Sequence, residues 1–235
     1  MLALAGLSVV GVFLALGTWQ LQRRAWKLDL IERVESRVGA PAVAPPGRAE
    51  WGRLDPDAIA YRRVRLSGRF DDGRSTLVQA LTERGAGFWV LTPLRTDPDS
   101  SLEGATVLVN RGFVPTGHRA RADRAASEGA VTVTGLVRLT EPDGSVLRGN
   151  DPAADRWYSR DVAAIAAARG LPKGDVAPYF VDADATPNPG GLPVGGLTVI
   201  AFRNHHLVYA LTWYALALMS AGALIYALRS PPAQA

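Results

Sequence analysis

Cysteine is missing from all 235 residues, which excludes disulfides and thiolate metal sites and leaves the redox compartment open. Histidine is nearly missing: His118, His205 and His206 are the only three. A hydrolytic triad needs an imidazole beside a nucleophile and an orienting carboxylate. The one histidine in the middle of the chain, His118, lies in the basic, turn-like stretch PTGHRARADR and reads as a solvated loop residue. The glycine-rich PNPGGLPVGG lacks both the Lys-Ser/Thr pair and the helix signal of a phosphate loop, so it reads as a flexible connector. No internal repeat with a period of about 20 to 50 residues occurs, which sets solenoids aside.

Charge is absent where its absence is most informative. No Lys, Arg, Asp or Glu occurs in residues 1–22 or in residues 204–228. At about 1.5 Å per residue, each run is long enough as a helix to cross roughly 30 Å of hydrocarbon. The first lacks the basic n-region of a signal peptide and is too long for an h-region. Trp19 and Trp26 flank the inner end of the first run, and Tyr209, Trp213 and Tyr214 open the second, where amphipathic rings favour the headgroup level. The expected organisation is a first transmembrane helix over residues 1–22, an extramembrane domain over 23–204, a second transmembrane helix over 205–228 and a short tail over 229–235.

The charged middle holds 22 acids interleaved among its basic residues, and the whole chain carries a net charge of only +4. That is a mixed solvated surface, with Arg23, Arg24 and Lys27 placed to meet anionic lipid, and not a nucleic-acid footprint. Leu28, Ile31, Val34 and Val38 recur at helical spacing in LDLIERVESRV, and APAVAPPGRAEW then breaks the helix. From Tyr61 the period falls to two. Val64, Leu66 and Phe70 alternate with Arg63, Arg65 and Arg69, the pattern of a half-buried strand with an arginine-bearing solvent face. Further strands are expected at STLVQAL, GFWVLTPL, ATVLVNRGFV, VTVTGLVRL, PYFVDAD and LTVIAF, in antiparallel pairing. One helix is expected at RDVAAIAAAR, with Ser159 as N-cap, Asp161 in the first turn, and Gly170 and Pro172 closing it. The fold class is thus a membrane protein in which two transmembrane α-helices flank a β-rich α+β soluble domain, barrel-like in its strand content.

His205 and His206 stand at the edge of the second apolar run. An imidazole there needs a partner, which leaves two readings open: interfacial hydrogen bonding or ligation. His206, Tyr209, Ala210, Trp213, Ala217, Ser220, Ala221 and Leu224 share one helical stripe. Gly11 with Ala15 and Ala217 with Ala221 are small-xxx-small pairs suited to helix contact in lipid. The stripe suits a haem whose iron takes one imidazole and whose propionates reach Arg23, Arg24 or Arg203.

The ends of the chain also resemble a known family. LGTWQLQRRAWKLDLI, through Gly17, Trp19, Gln20, Arg23 and Lys27, is similar to the N-terminal signature of the Surfeit locus protein 1 family of cytochrome c oxidase assembly factors. NHHLVYALTWYALA resembles its C-terminal signature through Asn204, His206, Leu207, Tyr209, Ala210, Thr212, Trp213 and Tyr214, and YRRVRLSGRF and VNRGFVP resemble internal segments. The resemblance implies no enzyme but a membrane chaperone that binds haem a as transient cargo and passes it to subunit I of the oxidase. Its metal ligand would be His206, with Tyr209 and Trp213 against the ring. Oxidase subunits, haem a synthase and membrane lipid are the implied partners, and a haem-free scaffold is the alternative. The implied location is a bacterial inner membrane with the soluble domain on the periplasmic side, although Arg23, Arg24 and Lys27 taken alone would put that side in the cytoplasm.

Overall fold

The computed structural model describes residues 1–120, 126–142, 148–198 and 204–229. The chain forms two bodies: residues 1–33 with 200–235, and residues 34–199. Two helices, α1 (Leu2–Gly39) and α4 (His206–Arg229), are long and apolar enough to cross a membrane, and the protein is a membrane protein with one such helix before and one after a β-rich domain in the chain. α1 does not end where charge begins. It runs through Arg23 and Arg24 to Gly39 because no glycine or proline interrupts it after Gly17, and Pro41 forbids continuation.

Between these helices the elements run α2 (Pro56–Ile59), β1 (Arg63–Phe70), β2 (Thr76–Thr82), β3 (Gly85–Thr96), β4 (Thr106–Pro115), β5 (Val131–Leu139), α3 (Val162–Ala168) and β6 (Val176–Ala183). The strands lie in the order β1-β5-β6-β4-β3-β2, and β1 also pairs with β3. Five strands therefore close into a barrel, with β2 added outside along the first half of β3. Among the six strands the expected antiparallel pairing holds for every pair except β4 and β6, which are parallel. A ring of five strands cannot alternate direction all the way round, so one pair must run parallel.

Alternation along the strands sorts their side chains into two cores. Val64, Leu66, Leu94, Val107, Val109, Val137, Tyr179 and Val181 fill one cluster, and Leu91, Leu108 and Phe180 join Val78, Trp157, Val162 and Ile165 in the other. β4 is buried from Thr106 to Val114, since neighbouring residues serve different cores. β1 keeps one face in water: Arg65 and Arg69 are exposed and Arg63 half-buried, as its alternation predicts.

Closure of the barrel depends on Gly68. It pairs with Thr96 at the β1–β3 seam, and a Cβ there would come within 2.1 Å of the Arg95 carbonyl oxygen. Gly68→Val is expected to cost about 3 kcal/mol, the upper end of overpacking penalties because the obstacle is backbone. Denaturant unfolding of the detergent-solubilised protein would measure it, and an unchanged midpoint would show that the seam can spread.

Local competition decides the smaller elements. Asp161, not Ser159, caps α3, accepting from the Ala164 N–H at 3.1 Å. Ser159 is occupied elsewhere: its hydroxyl donates to the Glu141 carbonyl at 2.8 Å and accepts from Asn150 at 2.9 Å. The helix ends as expected at Gly170, whose φ is +63°, with the Gly170 and Leu171 N–H groups bonded to the carbonyls of Ala167 and Ala166. PNPGGLPVGG is tied down, unlike the expected connector. Phe113 and Val194 exchange two backbone hydrogen bonds at 2.9 Å each, over a Gly112 whose φ of +135° and contact with the Val194 carbonyl admit no side chain. Of the strand expected at LTVIAF, Leu197 and Thr198 are not extended in the sheet, and the remainder lies outside the described residues.

Candidate functional site at the joined signatures of the two apolar helices

Residues 1–33 and α4 form an antiparallel helix pair, and each contact in it is set by a residue of matching size. Gly17 has no Cβ, and the Tyr214 ring lies 2.7 Å from where one would be. The Tyr214 hydroxyl hydrogen-bonds Thr18 Oγ1 at 3.1 Å. Phe13 stacks on Trp213 with ring centroids 5.7 Å apart, and Gly6 accommodates Leu224. Ala210 and Ala217, 1% and 2% exposed, let the helices approach. Of the Ala217–Ala221 pair, Ala217 is thus on the contact face and Ala221 is half-buried. Gly11 and Ala15 are exposed, so the small pair expected on α1 is not what joins the helices. A small-xxx-small pattern recurs in any apolar run, and the Gly6, Phe13, Gly17 and Gln20 stripe sets the contact instead.

At one end of this pair, half-buried His206 places Nδ1 2.7 Å from Gln20 Oε1. His205, the residue just before α4, is exposed. Tyr209 is 56% exposed on the outer side of α4, whereas Trp213 is engaged with Phe13. The structure therefore brings His206 and Trp213 to the face that meets α1 and leaves Tyr209 off it. The Arg23 guanidinium lies 4.7 Å over the Trp26 ring, and Arg24 is half-buried. Arg203 lies outside the described residues. Asn204 Oδ1 is buried and has no hydrogen-bond partner among the described residues.

The barrel holds a second polar constellation that sequence reasoning missed. The Asp182 carboxylate, 2% exposed, accepts from Asn110 at 2.8 Å, Thr198 at 3.0 Å, Arg138 at 3.1 Å and Arg160 at 3.3 Å. Arg160 also grips both oxygens of Glu141 and lies 4.8 Å over the Phe180 ring. Burial alone would raise the Glu141 carboxyl, but the hydrogen bonds and charge of Arg160 outweigh it and hold the group below the usual carboxylate range. The cluster borders a cavity of about 350 Å³ lined by Trp89, Arg138, Arg160, Asp182 and Thr198. Its carboxylates are matched by guanidinium groups, which suits a structural tie more than a proton relay. The only available signal was Asp182 falling on the alternation of a buried strand. His118 is exposed. Among the described residues, no three His, Asp or Glu converge as a metal site.

These features define a class: a membrane protein whose chain holds a closed β-barrel domain in sequence between two apolar helices that pair with each other. The chain belongs to the SURF1 family, known as cytochrome oxidase assembly factors, and the family profile matches residues 7–218. It is 36% identical over 218 residues to Surfeit locus protein 1 of Rattus norvegicus, covering 86% of this chain and 67% of the rat protein. It is 36% identical over 222 residues to Surfeit locus protein 1 of Homo sapiens, covering 86% and 69%. A SURF1-like protein of Monosiga brevicollis is 34% identical over 251 residues, covering 96% of this chain and 90% of that protein. The two end motifs that carried the sequence resemblance are the ones that meet: Gly17 and Gln20 on one helix, Tyr214 and His206 on the other.

Proposed function

We propose that the protein is a non-enzymatic haem a chaperone of oxidase assembly, taking the haem iron on His206 and delivering the cargo to subunit I. The observation that carries this reading is the position of His206, at the end of an apolar helix pair, half-buried and held through Nδ1 by an uncharged partner. A neutral imidazole with one nitrogen so engaged keeps the other for a metal. A single protein ligand also suits a cargo that must leave.

The other expected contacts are in unequal states. Tyr209 offers an exposed ring one turn beyond His206. Trp213 would meet the porphyrin only by giving up its stack on Phe13. Arg23 and Arg24 are the described candidates for the propionates. The buried Asn204 Oδ1, an acceptor without a described partner two residues before His206, is open to a donor on the cargo. Haem a synthase and oxidase subunits are the proposed partners, and the proposed location is a bacterial inner membrane with the barrel on the periplasmic side.

One observation favours a second reading, a haem-free scaffold that holds an assembly intermediate through protein contacts: the Gln20 bond satisfies His206 without any metal. An optical spectrum of the detergent-purified protein from a host that makes haem a separates the two. A Soret band in proportion to protein is expected. A colourless preparation from that host would leave the scaffold.

A further inference from the structure

Gln20 and His206 are 186 residues apart and come from different helices, yet their side chains meet at 2.7 Å. A neutral imidazole has one nitrogen that donates and one that accepts, and an amide oxygen can only accept. With Gln20 Oε1 against Nδ1, the ring proton is placed on Nδ1 and the lone pair on Nε2. Histidine in water prefers the opposite tautomer, so the partner must select the ring's state as well as its orientation. The bare Nε2 is the nitrogen farther from the backbone and the one able to reach a metal.

We infer that Gln20 is a positioning residue: by accepting from Nδ1–H it fixes His206 in the tautomer whose Nε2 can ligate iron. The inference rests on the haem-ligand reading for its purpose, but the tautomer is a property of the cargo-free protein. Partners of this kind orient the ligand ring and raise its basicity, and removing them costs about 10- to 100-fold in metal affinity. The surroundings support a fixed geometry. Gln20 lies three residues beyond Gly17, where the Tyr214 ring packs against bare backbone, so the helices are in register where the two side chains meet. His205, exposed and outside α4, has no such partner among the described residues of α1.

The test uses the full chain in detergent, haem-free and then titrated with haem, as wild type, Gln20→Leu and Gln20→Glu. Ring nitrogen NMR, with the His206 signals assigned by their loss in His206→Ala, reads the tautomer at a pH where imidazole is neutral. Wild type and Gln20→Glu are expected to carry the proton on Nδ1, and Gln20→Leu to move largely to Nε2–H. Haem affinity is expected to fall about 10- to 100-fold in Gln20→Leu and to be restored in Gln20→Glu. A wild-type proton on Nε2, or a Gln20→Leu spectrum and affinity matching wild type, overturns the inference. If the tautomer responds to Gln20 while wild type binds no haem, the positioning stands and the chaperone reading fails.

Discussion

His206→Ala is expected to strip most of the haem a from the purified protein, whereas His205→Ala keeps it. The two residues are adjacent, so composition and position in the membrane are nearly matched and only direction differs. His206 begins α4 and turns toward Gln20, while His205 precedes the helix and faces outward. A shift of one residue, from the first residue of α4 to the one before it, is enough to take a ligand off a site that one ring nitrogen defines. Stability should barely separate the variants, since one interhelical hydrogen bond in a membrane is worth about 0.6 kcal/mol. A Soret band lost at unchanged thermal midpoint would therefore report ligation and not unfolding. Equal haem retention in the two variants would end the assignment of His206.

Asp182→Ala should be the most damaging single change in the barrel. Its carboxylate joins β6 to Asn110 of β4, to Arg138 of β5, to Arg160 ahead of α3 and to Thr198 after the last strand. Truncation leaves two part-buried guanidinium groups short of a counter-charge. Breaking a buried pair from one side costs about 3 to 5 kcal/mol, because the remaining charge stays desolvated. Arg160 retains its ion pair with Glu141, which limits the loss on that side, whereas Arg138 keeps its stack on the Tyr61 ring, 4.8 Å away, and the charge of Glu141 without an ion pair to it among the described residues. Denaturant unfolding followed by tryptophan fluorescence would measure the change through Trp157, buried in the neighbouring core. A cost below about 1 kcal/mol, the range of exposed ion pairs, would mean that water reaches the cluster.

How far the fold was legible varied with the range of the forces. Strand β1 follows from the alternation its own segment carries, and β2 to β6 from apolar runs set between turn residues. The N-cap of α3 was misplaced by two residues although both candidates are good caps, because Ser159 is drawn off by Asn150 and Glu141, which no local rule anticipates. The antiparallel rule failed at β4–β6 because an odd ring imposes one parallel pair. In the candidate site, His206 was visible as an imidazole at an apolar boundary and Gln20 only as part of a resemblance. Their contact depends on Gly17 admitting the Tyr214 ring, a fit between helices that neither segment contains.

Sequence alone determined the two membrane-spanning helices, the half-buried strands and the family, since hydropathy, periodicity and motif spacing are properties of contiguous residues. Only the tertiary structure decided that the strands close into a ring, that Asp182 gathers four donors, and which polar group His206 answers to. The physical reason is that a hydrogen bond or a close packing contact needs two partners in register, and the register between distant segments is set by everything packed around them.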